Sequence, residues 1–260
     1  MTRLLLIFSV CILFISCSPS SAKVDNSLKK YFDSANVEGS FSLLNNQTGM
    51  ITIYDMKVDT ERVSPGDIFK IAETIIALQT TRLTDSSSKL IVSDTGNVTM
   101  KLKDAFDKND TTFFRKLQTK IGSQPMSAWV DSLHYGNLKT SDSAFWLNGE
   151  LKISPDEQLG LMSKIYFDKL GVDKYAQQVV KDLMLKEDNT LYKFSYTTGS
   201  ATGNKNQPMA WVCGWIEENL HVYFFTCIVS SKDQKTNLEQ TGLSVTKNIL
   251  KGMGFFQGKK

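Results

Sequence analysis

The chain has 260 residues, of which 41% are hydrophobic and 22% charged, a composition that fits one large globular domain. Its formal charge is only +3, and no basic cluster interleaved with aromatics occurs, so nucleic acid is excluded as a partner. No internal repeat is present.

In chain order, Met1-Thr2-Arg3 and an apolar run from Leu4 to Ile15 read as a secretory signal, too short for a membrane span. The run ends at Phe14-Ile15-Ser16-Cys17. A cysteine directly after a small residue resembles the lipobox of bacterial lipoproteins. That resemblance implies a signal over 1–16, a lipid on Cys17, a polar tether over 17–26 and a mature chain anchored to an envelope membrane. Cleavage near Ala22 by an ordinary signal route is the alternative. Of the four cysteines, Cys11 falls in the signal and Cys17 at the lipid site. Cys213 and Cys227 fall on consecutive strands. A turn near Glu218-Asn219 would pair Cys213 with Phe224, an odd offset from Cys227, which places the two thiols on opposite faces and predicts no bridge.

A short helix is predicted over 27–33. A strand follows from Val37 through Leu44, and a turn over Asn45–Gly49 leads to a hairpin partner over Met50–Tyr54. The stretch Ser64-Pro65-Gly66-Asp67-Ile68-Phe69-Lys70 then opens a helix running to about Thr81. Ile68, Phe69, Ile71, Ala72, Ile75, Ile76 and Leu78 make it apolar around its circumference, so it is central and buried. Ser64 reads as its cap, Pro65 as its first residue and Asp67 as the capping-box partner. Asp67 and Lys70 lie one turn apart, close enough for an ion pair.

Residues 85–101 are polar, with a small strand or turn around Val92–Val98. Helices are expected near 101–106, 109–121, 124–133, from Ser154-Pro155 to Tyr166, and over 173–185. Strands return at Leu191–Thr198, then, after a Gly/Asn-rich loop, at Met209–Glu217 and Leu220–Ser230, before a helix from Asn237 to Lys251. The expected fold is α/β, of the α+β type. N- and C-terminal strands share an antiparallel sheet flanked by helices, with a helical insert over about 85–185 within a domain spanning 27–260.

The order of these signals resembles class D (oxacillinase-type) β-lactamases and the related penicillin-binding and β-lactam-sensor domains, from about Leu28 to Phe256. The resemblance rests on Val37-Glu38-Gly39-Ser40-Phe41, Ser64-Pro65 through Ile71, Tyr135-Gly136-Asn137, Phe145 through Gly149, Ala210-Trp211 with Gly214-Trp215, and Val222 through Phe225. In that family a serine at the helix start attacks the β-lactam carbonyl, and a lysine one turn later is its base. The resemblance implies that Lys70 is that lysine and that Asp67 stands where the serine belongs. Asn109-Asp110-Thr111 stands at the Ser-x-Val segment, its hydroxyl replaced by an amide, with Asn109 and Thr111 as the site residues. Thr197-Thr198-Gly199 stands at Lys-Thr-Gly, without its cation. Trp146 resembles the tryptophan that shields the lysine, and the backbone N–H groups of Asp67 and Ser200 would form an oxyanion hole. No arginine occurs near Gln240-Thr241, where the family binds a substrate carboxylate.

These departures predict a protein that has lost covalent β-lactam chemistry and binds a peptidoglycan fragment or an envelope protein, with no cofactor and no metal. Two alternatives stand beside it: a β-lactam hydrolase or acyl-binding sensor using another serine, and a structural envelope lipoprotein. Ser27, Ser86 and Ser244 also precede a lysine at Ser-x-x-Lys spacing, but none opens the buried helix. His134 and His221 lack a second ligand at metal spacing. Asp67 beside Lys70 is expected to keep the lysine a cation rather than a carbamate.

Overall fold

The computed structural model describes residues 21–141, 144–233 and 236–260. The expected signal over 1–16 and the lipid site at Cys17 lie outside them. The elements run β1 (Ala22–Val24), α1 (Lys29–Ser34), β2 (Glu38–Asn45), β3 (Met50–Tyr54), α2 (Met56–Thr60) and α3 (Lys70–Gln79). The helical block follows with β4 (Lys89–Ile91), β5 (Thr99–Lys101), α4 (Leu102–Lys108), α5 (Thr111–Ile121), α6 (Ser123–Ser132), α7 (Pro155–Tyr166) and α8 (Lys174–Met184). The chain closes with β6 (Leu185–Asp188), β7 (Tyr192–Thr202), β8 (Pro208–Glu218), β9 (His221–Ser230) and α9 (Leu238–Gly252).

Seven strands form one sheet in the order β1-β3-β2-β9-β8-β7-β6. N- and C-terminal strands meet at β2–β9, antiparallel from Glu38 opposite Ser230 to Asn45 opposite Tyr223, so the shared sheet is as the pattern predicts. The sheet is wider than expected at both edges. Ala22–Val24, read as tether, pairs in parallel with Ile51–Ile53, because the edge of β3 offers unpaired backbone groups that a short segment can cover. At the other edge the chain turns from α8 directly into β6.

Helices cover both faces of the sheet. Phe41, Val212, Phe225, Cys227 and Val229 bury against α1 and α9 on one side. Trp211, Cys213, Trp215 and Phe224 face the larger core around α3 on the other. This alternation is the period-two rule of a strand buried on both faces. The hairpin turns through Asn219 and Leu220, both with positive φ, as a two-residue primed turn requires. Cys213 therefore pairs with Thr226 rather than with Phe224. The offset to Cys227 stays odd, and both thiols are free and buried on opposite faces. Burial pushes each thiol up to about 12, so both are inert core residues.

Every residue of α3 from Lys70 to Leu78 is buried, and the helix packs on α5, α6 and α8, the central placement its apolar circumference predicts. Between β4 and β5, Val92–Val98 is the connection rather than a strand, closed by the Val92 N–H donating to the Val98 carbonyl at 2.9 Å. No helix among the described residues is long and apolar enough to cross a membrane.

Candidate active site

The turn before α3 is built differently from a capping box. Ser64 is buried; its hydroxyl donates to the Trp146 carbonyl at 2.8 Å and accepts the Gly66 N–H at 3.3 Å, rather than an N–H of α3. Gly66–Phe69 forms a 3-10 turn that leads into α3, with Pro65 rather than Ser64 at its cap. Gly66 has φ +52°, and a Cβ there would lie 2.0 Å from the Ser200 carbonyl oxygen. A Cβ on Gly199 would lie 2.7 Å from the Ile68 nitrogen. Two glycines thus let the backbone of β7 lie directly against the turn, and this close approach forms the cleft.

Asp67 enters the cleft from that turn. Its carboxylate accepts the Ser200 N–H at 3.2 Å. The expected oxyanion hole is therefore occupied at one donor by the side chain standing in the nucleophile's place. Burial raises the Asp67 carboxyl to about 6; nearby Lys70, the Ser200 N–H and the Thr111 hydroxyl pull it down, and Glu239 pushes it up. Thr111, the first residue of α5, thus reaches the Asp67 carboxylate with its hydroxyl.

Lys70 does not make the expected ion pair: among the described residues no salt bridge joins it to Asp67. Its ammonium donates to the carbonyls of Thr198 at 2.9 Å and Phe106 at 3.0 Å, and to the Asn109 side-chain oxygen. Three neutral acceptors match the three protons of an ammonium. Burial lowers Lys70 to about 8, against the pull of Asp67 and Glu239. The ring over the ammonium is that of Phe106, at 4.7 Å. Trp146, expected there, instead stacks on Phe69 at 5.9 Å, and its carbonyl clamps the turn through Ser64 and Gly66. Its indole packs in the aromatic cluster of Phe69 and Phe145, edge-on to Phe145 at 5.3 Å.

Asn109 ends α4 in the left-handed region, φ 54°, which asparagine tolerates, and this turns its amide into the cleft. While its oxygen accepts from Lys70, its Nδ2 donates to Glu239 at 2.5 Å. Residues 199 and 200, predicted as loop, continue β7 through Thr202, paired with β8, because a full antiparallel ladder outweighs the weak strand preference of glycine. Alternation then puts Thr198 and Ser200 on one face. Their hydroxyls donate to Glu239 at 2.6 Å each. Thr197 is buried, and its hydroxyl reaches only the Thr198 carbonyl at 3.5 Å. Glu239, in the first turn of α9, is the site residue that sequence reasoning missed. A glutamate there is indistinguishable from ordinary helix-start chemistry, although it directly precedes Gln240-Thr241, where a cation was sought.

A seven-stranded sheet between helical layers, with a buried lysine helix opening beside β7, defines a serine β-lactamase/transpeptidase-type protein. Residues 39–253 match the penicillin binding protein transpeptidase domain, and the chain belongs to that family. It is 28% identical over 233 residues to the regulatory protein BlaR1 of Bacillus licheniformis, covering 87% of this chain and 38% of that protein's length. It is 28% identical over 227 residues to β-lactamase OXA-10 of Pseudomonas aeruginosa, covering 81% and 85% respectively. Among solved structures, the C-terminal domain of the Bacillus licheniformis BlaR penicillin receptor superposes with a TM-score of 0.85 at 25% identity, over 92% of this chain and 98% of that one. The class D β-lactamase FUS-1 of Fusobacterium nucleatum gives 0.83 at 25% identity, over 90% and 100%.

Proposed function

We propose that this chain is a lipid-anchored envelope protein whose penicillin-binding-type cleft takes a cell-wall-derived or protein ligand without acylation. The observation that carries the reading is the contact between the Asp67 carboxylate and the Ser200 N–H at 3.2 Å. One residue both replaces the nucleophile and fills an oxyanion donor. Carboxylate attack on an amide would yield a high-energy anhydride, and the Asp67 charge repels an anionic substrate. Loss of a catalytic serine alone costs on the order of a million-fold in serine proteases. Lys70 adds to the loss, since a base needs a free lone pair and all three of its protons are engaged. The anchor reading rests on Ser16-Cys17 at the end of the apolar run.

One observation favours a second reading, acylation at another serine. Ser200 is exposed in the cleft, and its hydroxyl donates to the Glu239 carboxylate, a general-base geometry. Ser27 and Ser244 are exposed and lie outside the cleft. Intact-mass spectrometry of the full chain in detergent with a fluorescent penicillin separates the readings. The unmodified mass is expected. A stable adduct overturns the non-acylating reading, and peptide mapping then tests Ser200 first.

A further inference from the structure

Glu239 is held by donors from two other parts of the chain. Thr198 and Ser200 reach it from alternate positions on β7, each at 2.6 Å, and Asn109 reaches it from the α4–α5 junction at 2.5 Å. All three donors are neutral, and both carboxylate oxygens are engaged, one by Ser200 and the other by Thr198 and Asn109. Hydroxyl and amide donors converging at these short distances form a seat for a carboxylate. The N-terminal end of the 15-residue α9 adds its favourable dipole.

The occupant of that seat belongs to the chain itself. An external carboxylate would have to displace a tethered one, which acts at high effective concentration. It would also lie beside Asp67, since Ser200 donates its N–H to Asp67 and its hydroxyl to Glu239. Lys70 has no proton left to donate to an external carboxylate, because its three are committed to Phe106, Asn109 and Thr198, and its charge already faces Asp67 and Glu239. We propose that Glu239 is a specificity-determining residue, an internal carboxylate that makes the cleft reject carboxylate-bearing ligands and admit neutral ones. This rests on the reading of the cleft as a non-acylating ligand site.

The test uses two probes, acetyl-D-alanyl-D-alanine, which ends in a carboxylate, and its C-terminal amide, which does not. Each is titrated into the full-length 15N-labelled chain in detergent, with the Thr198 and Ser200 amide signals followed. In Glu239→Ala the affinity for the acid is expected to rise about tenfold or more, because a like charge leaves and three donors are freed. The affinity for the amide is expected to change less than about twofold. Glu239→Gln, which keeps the shape of the side chain, is expected to favour the acid in the same direction and carries the test should the alanine variant not fold. An equal gain for both probes, or no gain for the acid in a folded variant, overturns the proposal. Neither result bears on acylation, which the mass experiment reads separately.

Discussion

The Lys70 ammonium donates to the Thr198 carbonyl at 2.9 Å, across the junction of α3 and β7, rather than to Asp67 one turn before it. Three oxygens from two distant segments take its protons, so the lysine fastens the cleft walls together. Its charge is set by that cage, and the lowering to about 8 reflects burial rather than a missing acceptor.

A carbamate on Lys70 is therefore not expected. With the group at about 8, about nine-tenths is protonated at pH 7. A neutral amine would also leave one of the three oxygens without a donor. In 13C-bicarbonate NMR at pH 7 the expected spectrum lacks a protein carbamate resonance. A resonance that disappears in Lys70→Ala would show that the cage opens.

Glu73, one turn beyond Lys70, is fully buried with no hydrogen-bond partner among the described residues, and burial alone raises its carboxyl well above the usual range. A methionine of similar length removes that desolvation cost and keeps the packing. Glu73→Met is expected to raise the unfolding free energy at pH 7 by about 1–3 kcal/mol in urea titrations. A loss of stability would mean that Glu73 has a polar role in the core.

Asp59 of α2 lies inside the protein beside Ser42, and burial raises its carboxyl to about 7 from the ordinary aspartate value of 3.8. The folded state holds this proton more tightly than the unfolded chain. Its stabilising share is complete below about pH 4 and is lost as pH rises to about 7, by about 1.4 kcal/mol per pH unit. Stability of Asp59→Asn relative to the natural chain should accordingly climb from pH 4 to pH 7 and then level off. A flat difference would show that Asp59 is not buried in solution.

Gly66→Ala strains a φ of +52° and drives a methyl into the Ser200 carbonyl. The substitution should cost about 3 kcal/mol or more and loosen β7 from the turn. In amide hydrogen exchange the Ser200 N–H, bound to Asp67 in the natural chain, should lose protection. Retained protection would place the cleft's rigidity elsewhere.

Much of the fold was legible because its signals are local. The apolar circumference of α3, the alternation of β8 and β9 and the turn residues Asn45–Gly49 each specify an element within a short window. Asp67 in a nucleophile's place was equally visible, since it is a matter of residue type at a position. The edges of the sheet were not. Neither Ala22–Val24 nor the extension of β7 past Gly199 carries a strong strand pattern, and both exist because a neighbouring strand offers hydrogen bonds.

The sequence by itself determined the order of the elements, the buried helix and the absence of a serine at its start. Only the tertiary structure decided how the charged groups are satisfied. Lys70 found its acceptors 36, 39 and 128 residues away. Glu239 found its donors 130, 41 and 39 residues away. Hydrophobic burial is non-directional and follows local pattern, whereas a hydrogen bond needs two groups within about 3 Å at the right angle. That geometry comes into being only when separate segments have packed, and it turned an expected Asp67–Lys70 pair into a caged lysine and a cleft already holding its own carboxylate.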